Sequence, residues 1–539
     1  MRRARPWWLL LGLAGAVVAD GVTAWHLQID SEAVVGEGLE TLGVRAVLEM
    51  PARVLEVQID SLRLPGQSPI SDIRLRCSRF DLVSANDFSC RDGRLSFAHP
   101  LLSVEDTPLE VTWNGTRGGQ IRFVDAPLLG SAKVEIVRTE SGWRTVVDAS
   151  AVNLNALKER VPLGGIGLTG SASVQVTLTT NADDGYGVDI IISPSGLGFE
   201  TAEGQFIGAA LEGSVRVSLD ETDEAWQGRL EGRWTAGEVL TPAAYAYAEP
   251  RSPLTVEADF SADRQFARLD VDSYTLAQTP WMQLGGSLRL RLDEPPAVRL
   301  FEARFADMEL GSVFARHVEP VLAHPLLSGL EIVGTASGHV RWQDGRLAEL
   351  DLSSSGIDVA VDTETAELAV EDLAGEIRIG GRGGRRSRVS WQGARVFGFD
   401  LGPVDLPLAV RSSSLVLVEP VRLPVLDADL SIEQFALDWS EAPPEITFDG
   451  VLTPVSMEAV AAALGWIPMQ GKLSGVIPRV ALSKGSLSVG GNLLVRVFDG
   501  DIVLRNLGVS DVFGYWPLLT AALTCRNLAL EMVTGTYEF

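Results

Sequence analysis

The histidines and serines of this 539-residue sequence form no spacing typical of a catalytic or metal site. The five histidines are scattered, and neither a His-Glu-x-x-His motif nor a cysteine pair with zinc-ligand spacing occurs. Ser337 stands fourth in Gly334-Thr335-Ala336-Ser337-Gly338, whereas a nucleophile elbow needs it third. We therefore predict no enzymatic activity, no catalytic residue, no bound metal and no cofactor.

The sequence contains three cysteines. Cys77 and Cys90 each lie in strand-like sequence, and in an exported chain they either form a disulfide between neighbouring strands or are two separate small core residues. Cys525 is interpreted as a core residue.

An apolar segment follows Arg2, Arg3 and Arg5 at the N-terminus. The stretch 6–25 is close to the length that spans a bilayer, but its uninterrupted apolar run is as short as that of a cleaved signal peptide. We predict a retained anchor, because tryptophans at both ends resemble interfacial anchors, with the basic end cytoplasmic and the bulk of the chain exported. The predicted anchor residues are Trp7, Trp8, Leu9, Leu10, Leu11, Leu13, Val17, Val18 and Trp25.

The net charge of −26 argues against nucleic acid as a partner and against docking on anionic lipid headgroups. Nucleic acid phosphates would be repelled, as would anionic lipid headgroups. The hydrophobic fraction of 46% is above the range of disordered chains, so a folded protein is expected.

Most of the chain alternates apolar and polar residues, as half-buried β-strands do. Each such strand presents one apolar face, which we interpret as the lining of a groove. The candidate lining residues are Val174, Val176, Leu178, Val215, Val217, Leu219, Leu288, Leu290, Leu292, Ile377, Ile379, Leu487 and Val489.

Four Asp-Gly pairs predict tight hairpin turns and hence a largely antiparallel meander. They are Asp92-Gly93, Asp184-Gly185, Asp344-Gly345 and Asp499-Gly500.

Short helices are predicted at 153–161, at 307–318 behind an Asp307 cap, and at 454–464 behind Thr453, with a further helix at about 32–48. The first three begin about 150 residues apart, and each precedes a strand marked by glycine. We interpret these glycines as bulges in long strands rather than as ligand-binding positions.

The repeated helix and glycine-led strand, together with the stretch 469–478 and the following Gly485-Ser486-Leu487-Ser488-Val489, resemble the AsmA-like superfamily, and in particular its YdbH branch with its "dicarboxylate transport" C-terminal region. The resemblance implies a protein of the bacterial inner membrane with one span and its bulk in the periplasm, where a long curved sheet moves phospholipid towards the outer membrane. Family members continue beyond the point where this sequence stops, so the resemblance implies C-terminal truncation.

The expected organisation follows from the anchor and the repeat. It comprises a cytoplasmic basic end (1–5), a transmembrane signal-anchor (6–25), a juxtamembrane helix and linker (26–50), an N-terminal β region (51–150), two AsmA-like repeats (151–305 and 306–452), and the start of a third repeat or YdbH-like C-terminal region (453–539).

A sheet with one apolar face must cover that face with helices, another sheet or ligand, or close into a barrel. Because helices are scarce, we predict an all-β fold in which a long, curled, mostly antiparallel sheet forms an open hydrophobic groove. Stacked β-sandwich domains remain the alternative. The corresponding functions are a conduit for phospholipid between the two membranes, or a non-conducting periplasmic scaffold or outer-membrane assembly factor. The expected partners are phospholipid acyl chains, the inner membrane and an outer-membrane or periplasmic lipoprotein, with no nucleic acid.

Overall fold

The structure is a computed structural model of the chain. It describes residues 25–36, 39–63, 68–84, 87–99, 103–126, 130–140, 142–158, 166–180, 185–222, 225–241, 245–292, 297–321, 329–362, 367–380, 386–396, 398–411, 413–440, 445–483, 485–511, 518–529, 531 and 534. The predicted anchor residues from Trp7 to Val18 lie outside these ranges. Within the ranges, no helix combines the length and apolar character needed to cross a bilayer.

The chain divides into two units, Met1–Pro242 with Ala248–Pro253, and Ala243–Tyr247 with Leu254–Phe539. Both units are all-β, as the alternation predicts, and their strands pair antiparallel, as expected for a meander.

In the first unit each strand pairs with the next along the chain, so that the sheet is a meander. The strands are β1 (Trp25–Gly36), β2 (Leu39–Met50), β3 (Val54–Arg63), β4 (Ile70–Ser84), β5 (Asp87–Ala98), β6 (Val104–Asn114), β7 (Gly118–Ala126), β8 (Gly130–Arg138), β9 (Trp143–Asn153), β10 (Gly167–Thr180), β11 (Tyr186–Glu200), β12 (Ile207–Glu221) and β13 (Ala225–Leu240).

The remaining strands follow a similar order, but between residues 367 and 438 several are broken into shorter segments. They are β14 (Tyr245–Ala248), β15 (Leu254–Asp263), β16 (Arg268–Gln278), β17 (Met282–Arg291), β18 (Ala297–Glu309), β19 (Leu330–Val333), β20 (Thr335–Gln343), β21 (Arg346–Asp362), β22 (Glu367–Gly380), β23 (Arg386–Trp391), β24 (Gly393–Val396), β25 (Phe399–Leu401), β26 (Val404–Arg411), β27 (Ser414–Leu417), β28 (Val421–Val425), β29 (Ala428–Asp438), β30 (Glu445–Ser456), β31 (Gly471–Ser483), β32 (Ser486–Val497), β33 (Gly500–Ser510) and β34 (Leu518–Arg526). Thus β22 pairs with both β23 and β24, and β29 pairs with both β27 and β28.

Three short helices form near the predicted positions: α1 (Leu154–Lys158), α2 (Leu310–Val313) and α3 (Met457–Leu464). Each lies between two strands that pair with each other, namely β9 and β10, β18 and β20, or β30 and β31. Immediately after α2 the chain forms a π-helical turn (Phe314–Val318) and a 3₁₀ turn (Glu319–Val321). A helix therefore recurs in the connection between paired strands.

The predicted caps of α2 and α3 are wrong. The Glu309 carboxylate, rather than Asp307, accepts from the first turn of α2, and the Ser456 hydroxyl, rather than Thr453, accepts from Ala459 N at 3.3 Å. Asp307 and Thr453 still lie in β18 and β30, where Thr453 exchanges hydrogen bonds with the backbone of Asp429. Strand pairing thus extends further than the local capping signals predict, and both helices begin later.

The predicted helix at about 32–48 is also wrong, because this region forms β1 and β2. Trp25, expected to end the anchor, is the first residue of β1. Leu42, Val44 and Ala46 alternate along β2 with the period of a strand, and the last two lie opposite the apolar Ile59 and Val57 of β3.

The Asp-Gly pairs behave in different ways. Asp344-Gly345 forms a hairpin turn with positive φ at both residues, as predicted. The turn before β33 is centred on Phe498-Asp499 instead, with Gly500 already paired to Val497. Asp92-Gly93 makes no hairpin, since it lies at a bulge inside β5, and Asp184 lies outside the described residues.

Gly286 illustrates why glycine marks these strands. A Cβ atom at this position would overlap the backbone carbonyl of Glu302 on β18, so only glycine permits the close approach. The register of the neighbouring pair shifts nearby, between Val271 and Tyr274 of β16. This agrees with the interpretation of such glycines as bulge positions.

Among the described residues, buried apolar side chains form small clusters. One packs α3 against the ends of β30 and β32 through Val455, Met457, Val460 and Val497. Another surrounds Cys77 and Cys90. Most other apolar strand residues are only partly buried, which directs attention to the sheet face on which they lie.

Candidate functional site

In the first unit, one sheet face carries a row of apolar residues that crosses ten consecutive strands. Each member lies directly opposite the next, and together they are called the 176 row. Its members are Phe80, Cys90, Val111, Ile121, Val134, Val147, Val176, Ile190, Val217 and Leu230. Directly opposed residues on one face are in contact range, so the row is a continuous apolar surface.

The predicted lining residues of this unit all lie on the same face. Val174 opposes Ile192, which opposes Val215, and Leu178 opposes Val188, which opposes Leu219. These two rows flank the 176 row, because alternate residues of a strand share a face. The structure therefore brings Val174, Val176, Leu178, Val215, Val217 and Leu219 together, as the groove prediction requires.

The 176 row is not covered along most of its length. From Val111 to Leu230, every member retains partial solvent exposure, whereas the core of a β-sandwich would bury it. In the flanking rows, Leu178 is 42% exposed and Ile192 is 38% exposed. Large apolar side chains in this arrangement define an exposed hydrophobic surface, which usually marks a binding surface.

At one end of the 176 row, its members on β4 and β5 are buried, and a disulfide joins these two strands. Cys77 and Cys90 form a disulfide between these strands, with their Cα atoms 5.7 Å apart. Both are buried beside Phe80 and Leu48. Cys525 is exposed and forms no disulfide, so the prediction that it is a core residue is wrong.

The second unit has corresponding rows on β16–β22. Leu288 opposes Val271 and Phe301, and Leu290 opposes Leu269 and Val298. Leu292 lies just beyond the end of β17, where it is 46% exposed and its backbone N–H donates to Ala267 O at 2.8 Å. It therefore sits at the border of the face rather than within it.

A further row includes the predicted Ile377. It runs through Leu276, Leu284, Phe305, Gly338, Leu352 and Ile377. Ile379, two residues further on, opposes Leu350 and is buried. Both predicted isoleucines thus share one face.

An apolar cavity of about 310 Å³ lies along this row. Its lining includes Phe305, Met308, Leu310, Leu352, Leu373 and Ile377. The volume is at the small end for ligand pockets, and nearly all of the lining groups are hydrocarbon. Met308 and Leu310 were not predicted as lining, because they belong to the short segment that was assigned to a helix.

Leu487 and Val489 lie in the last group of rows. Leu487 opposes Leu482 and Val509, and Val489 opposes Val480 and Leu507. Strand β34, which pairs with β33, extends this face with Leu519 and Leu523, which are 59% and 61% exposed.

The opposite face of the sheet is charged and paired. In the first unit, Arg216 of β12 binds Asp189 of β11, with Nε 3.1 Å from Oδ1, and Lys133 binds Glu135 at 2.8 Å. The hydrogen bond from Lys133 lowers the pKa of the Glu135 carboxyl, and that to Asp189 raises the pKa of Arg216. Such exposed pairs add little stability, but they keep this face hydrated.

A polar depression of about 590 Å³ lies on the charged face of the second unit, lined by Ser337, Ser353, Glu376 and Arg388 among others. The Ser337 hydroxyl accepts from Asp307 N at 3.0 Å, so it supports the backbone of β18. We assign this depression to the hydrated face rather than to a substrate.

His339, Glu349 and Asp351 place possible metal-ligand atoms within 4.8 Å of one another on that face. His339 opposes Asp351 in the register, and its Nε2 atom has no hydrogen-bond partner.

Arginines adjoin this group. Arg304 opposes His339, Arg341 opposes Glu349, and Arg378 lies 3.9 Å from Asp351. These cations already balance the carboxylates and would repel a divalent ion, so we interpret the group as part of an alternating charge ladder.

No family model matches the sequence, and no curated protein matches it either. The fold and the site define the chain as an all-β protein whose antiparallel sheets are apolar on one face and charged on the other.

Proposed function

We propose that the apolar sheet face binds the acyl chains of phospholipid, and that the protein is a membrane-anchored periplasmic conduit between the inner and outer membranes. The observation that carries the proposal is the 176 row, in which eight consecutive members from Val111 to Leu230 are apolar and partly exposed. The resemblance to the AsmA-like superfamily points to the same function.

The energetics favour an extended apolar surface over a single polar site. Moving a sixteen-carbon acyl chain into water costs about 13 kcal/mol, at about 0.8 kcal/mol per methylene. Successive rows of Val, Ile and Leu side chains offset much of this cost at each position along the sheet. Such a surface needs no specific hydrogen-bonding group, and because the apolar face is partly exposed to solvent, the headgroup is free to stay in water.

The experiment is photo-crosslinking of the full chain, extracted in mild detergent, to a phospholipid with a diazirine in its acyl chain. Crosslinks are expected on β10–β12 at Val176, Ile190 and Val217. The neighbouring Gln175 and Arg216 on the charged face are the matched internal control, and they should remain unlabelled.

Mass spectrometry of the untreated protein provides the second measurement. Co-purified phospholipid is expected at more than one molecule per chain. A chain free of lipid, with crosslinks spread equally over both faces, would exclude the conduit and favour the non-conducting scaffold.

A further inference from the structure

The second unit contains a partly buried hydrogen-bond chain that joins the π-helical turn Phe314–Val318 to two strands. Gln278, at the end of β16, is fully buried, and its Nε2 donates to the backbone carbonyl of Tyr247 on β14 at 2.8 Å. His317 of the π-helical turn lies between Gln278 and Tyr245: its Nε2 is 2.9 Å from Gln278 Oε1, and its Nδ1 is 2.8 Å from Tyr245 O. These residues are 39 and 72 positions from His317 in the sequence.

Both partners of the His317 ring are acceptors. A backbone carbonyl accepts only, and the bond from Gln278 Nε2 to Tyr247 turns the amide oxygen of Gln278 towards the histidine. A neutral imidazole has one N–H, so it would leave a ring lone pair facing an oxygen lone pair. Reversing the Gln278 amide does not remove the conflict, because its oxygen would then face Tyr247 O.

The imidazolium form satisfies all three hydrogen bonds at once. We infer that His317 is a protonation-dependent latch, which in its charged form fastens the helical segment 310–321 to β14 and β16. Because the fastened state binds a proton that the released state gives up, fastening weakens as pH rises. Histidine is the side chain whose charge changes near neutral pH.

Two charged groups near the latch, Arg316 and Glu309, are engaged elsewhere. On the same segment, the Arg316 guanidinium lies 4.0 Å from the centre of the Trp281 ring. On β18, the Glu309 carboxylate accepts from Ser312 N at 3.3 Å. Glu319 is the remaining charged residue of the segment, β14 carries only tyrosine hydroxyls, and β16 contributes the neutral Gln278. The two acceptors of the ring are thus both uncharged.

The segment held by the latch also supplies Leu310 to the apolar cavity. If the cavity holds an acyl chain, which rests on the proposed function, release of the segment alters one wall of that site. The latch itself does not depend on lipid and is tested without it.

The experiment is hydrogen exchange of the full chain, followed by mass spectrometry of peptides that cover 314–321. Protection factors, corrected for intrinsic exchange, are compared at about pH 5.5 and about pH 8.5, which bracket the usual range of histidine titration. We expect protection to fall about tenfold at the higher pH, the effect of losing one hydrogen bond to a charged group. The His317→Gln variant should lose this pH response, and His26→Gln, at an exposed histidine, should keep it.

Nitrogen-15 labelling of the five histidines gives a direct readout that does not depend on a variant folding. Both His317 nitrogens should carry protons in the fastened state and lose one as protection falls. Equal protection at both pH values, an unchanged pH response in His317→Gln, or a neutral His317 ring in the protected state would each overturn the latch.

Discussion

Val176 of β10 lies directly opposite Ile190 of β11, and Ile190 in turn lies opposite Val217 of β12. Their neighbours Gln175 and Arg216 point to the other side of the sheet and are exposed. A single residue step along β10 therefore separates the proposed lipid-binding face from the hydrated face.

Replacing Val176 by arginine should lower acyl-chain crosslinking on β10–β12 by at least about tenfold, because an unpaired charge in an apolar contact costs more than 1.4 kcal/mol. The fold should survive, since the partly exposed side chain can extend towards water. Gln175→Arg adds the same charge on the opposite face and should retain wild-type labelling. Equal labelling of both variants and the wild type would remove the 176 row from the proposed path.

The Cys77–Cys90 disulfide should stabilise the first unit by about 3 kcal/mol, the chain-entropy effect expected for a closed loop of this length. The double variant Cys77→Ser/Cys90→Ser should unfold at lower denaturant concentration than the wild type under non-reducing conditions. Cys525→Ser, which alters the exposed free thiol, is the control and should change nothing. An unchanged midpoint in the double variant would contradict the prediction.

Gly286→Ala should destabilise the pairing of β17 with β18 by about 1–3 kcal/mol, because the new methyl group overlaps the Glu302 carbonyl. That carbonyl also accepts from the Tyr274 hydroxyl at 2.9 Å, so the change affects both contacts. Hydrogen exchange of peptides from β17 and β18 measures the loss. Gly393→Ala is the matched control, since its methyl group would meet only the Glu371 carboxylate at an ordinary 3.5 Å. Equal protection in the two variants would argue against a steric role for Gly286.

Asp427 should make the start of α3 sensitive to acid. Its carboxylate accepts from Ser456 N at 3.0 Å, and this hydrogen bond lowers its pKa below the ordinary value of 3.8. The contribution is therefore complete above that value and is lost as pH falls through the lowered pKa. Because the carboxylate is exposed, water screening keeps the effect under about 1 kcal/mol.

Protection of the backbone amides of 457–464 from hydrogen exchange should therefore fall on acidification in the wild type. It should change less in Asp427→Asn, because asparagine keeps a hydrogen-bond acceptor but carries no charge. Asp429→Asn is the control, because Asp429 bonds Thr453 through its backbone. The same acid response in the wild type and Asp427→Asn would assign the effect to other carboxylates.

The local sequence was most informative about which residues share a face of a strand, because one face is apolar and the other is polar. The alternation of Val174, Val176 and Leu178 predicts their shared face, because successive side chains of a strand point in opposite directions. The same period was present at 42–48 and was misread as helical, although Leu42, Val44 and Ala46 follow it.

Turn chemistry was less decisive, because the same Asp-Gly dipeptide suits both a hairpin and a bulge. Positive φ at Asp92 serves a bulge in β5, and at Asp344 it serves a turn. The choice depends on whether the flanking residues find their partners on each other or on other strands.

The sequence by itself determined that the chain is all-β, with strands that are apolar on one side, since strand period and composition are local properties. The tertiary structure alone decided the register that aligns Phe80 with residues as distant as Leu230, and the meeting of His317 with Gln278 and Tyr245. Register and long-range contacts depend on turn geometry, bulges and the packing of whole strands, which the alternation within a single strand does not specify.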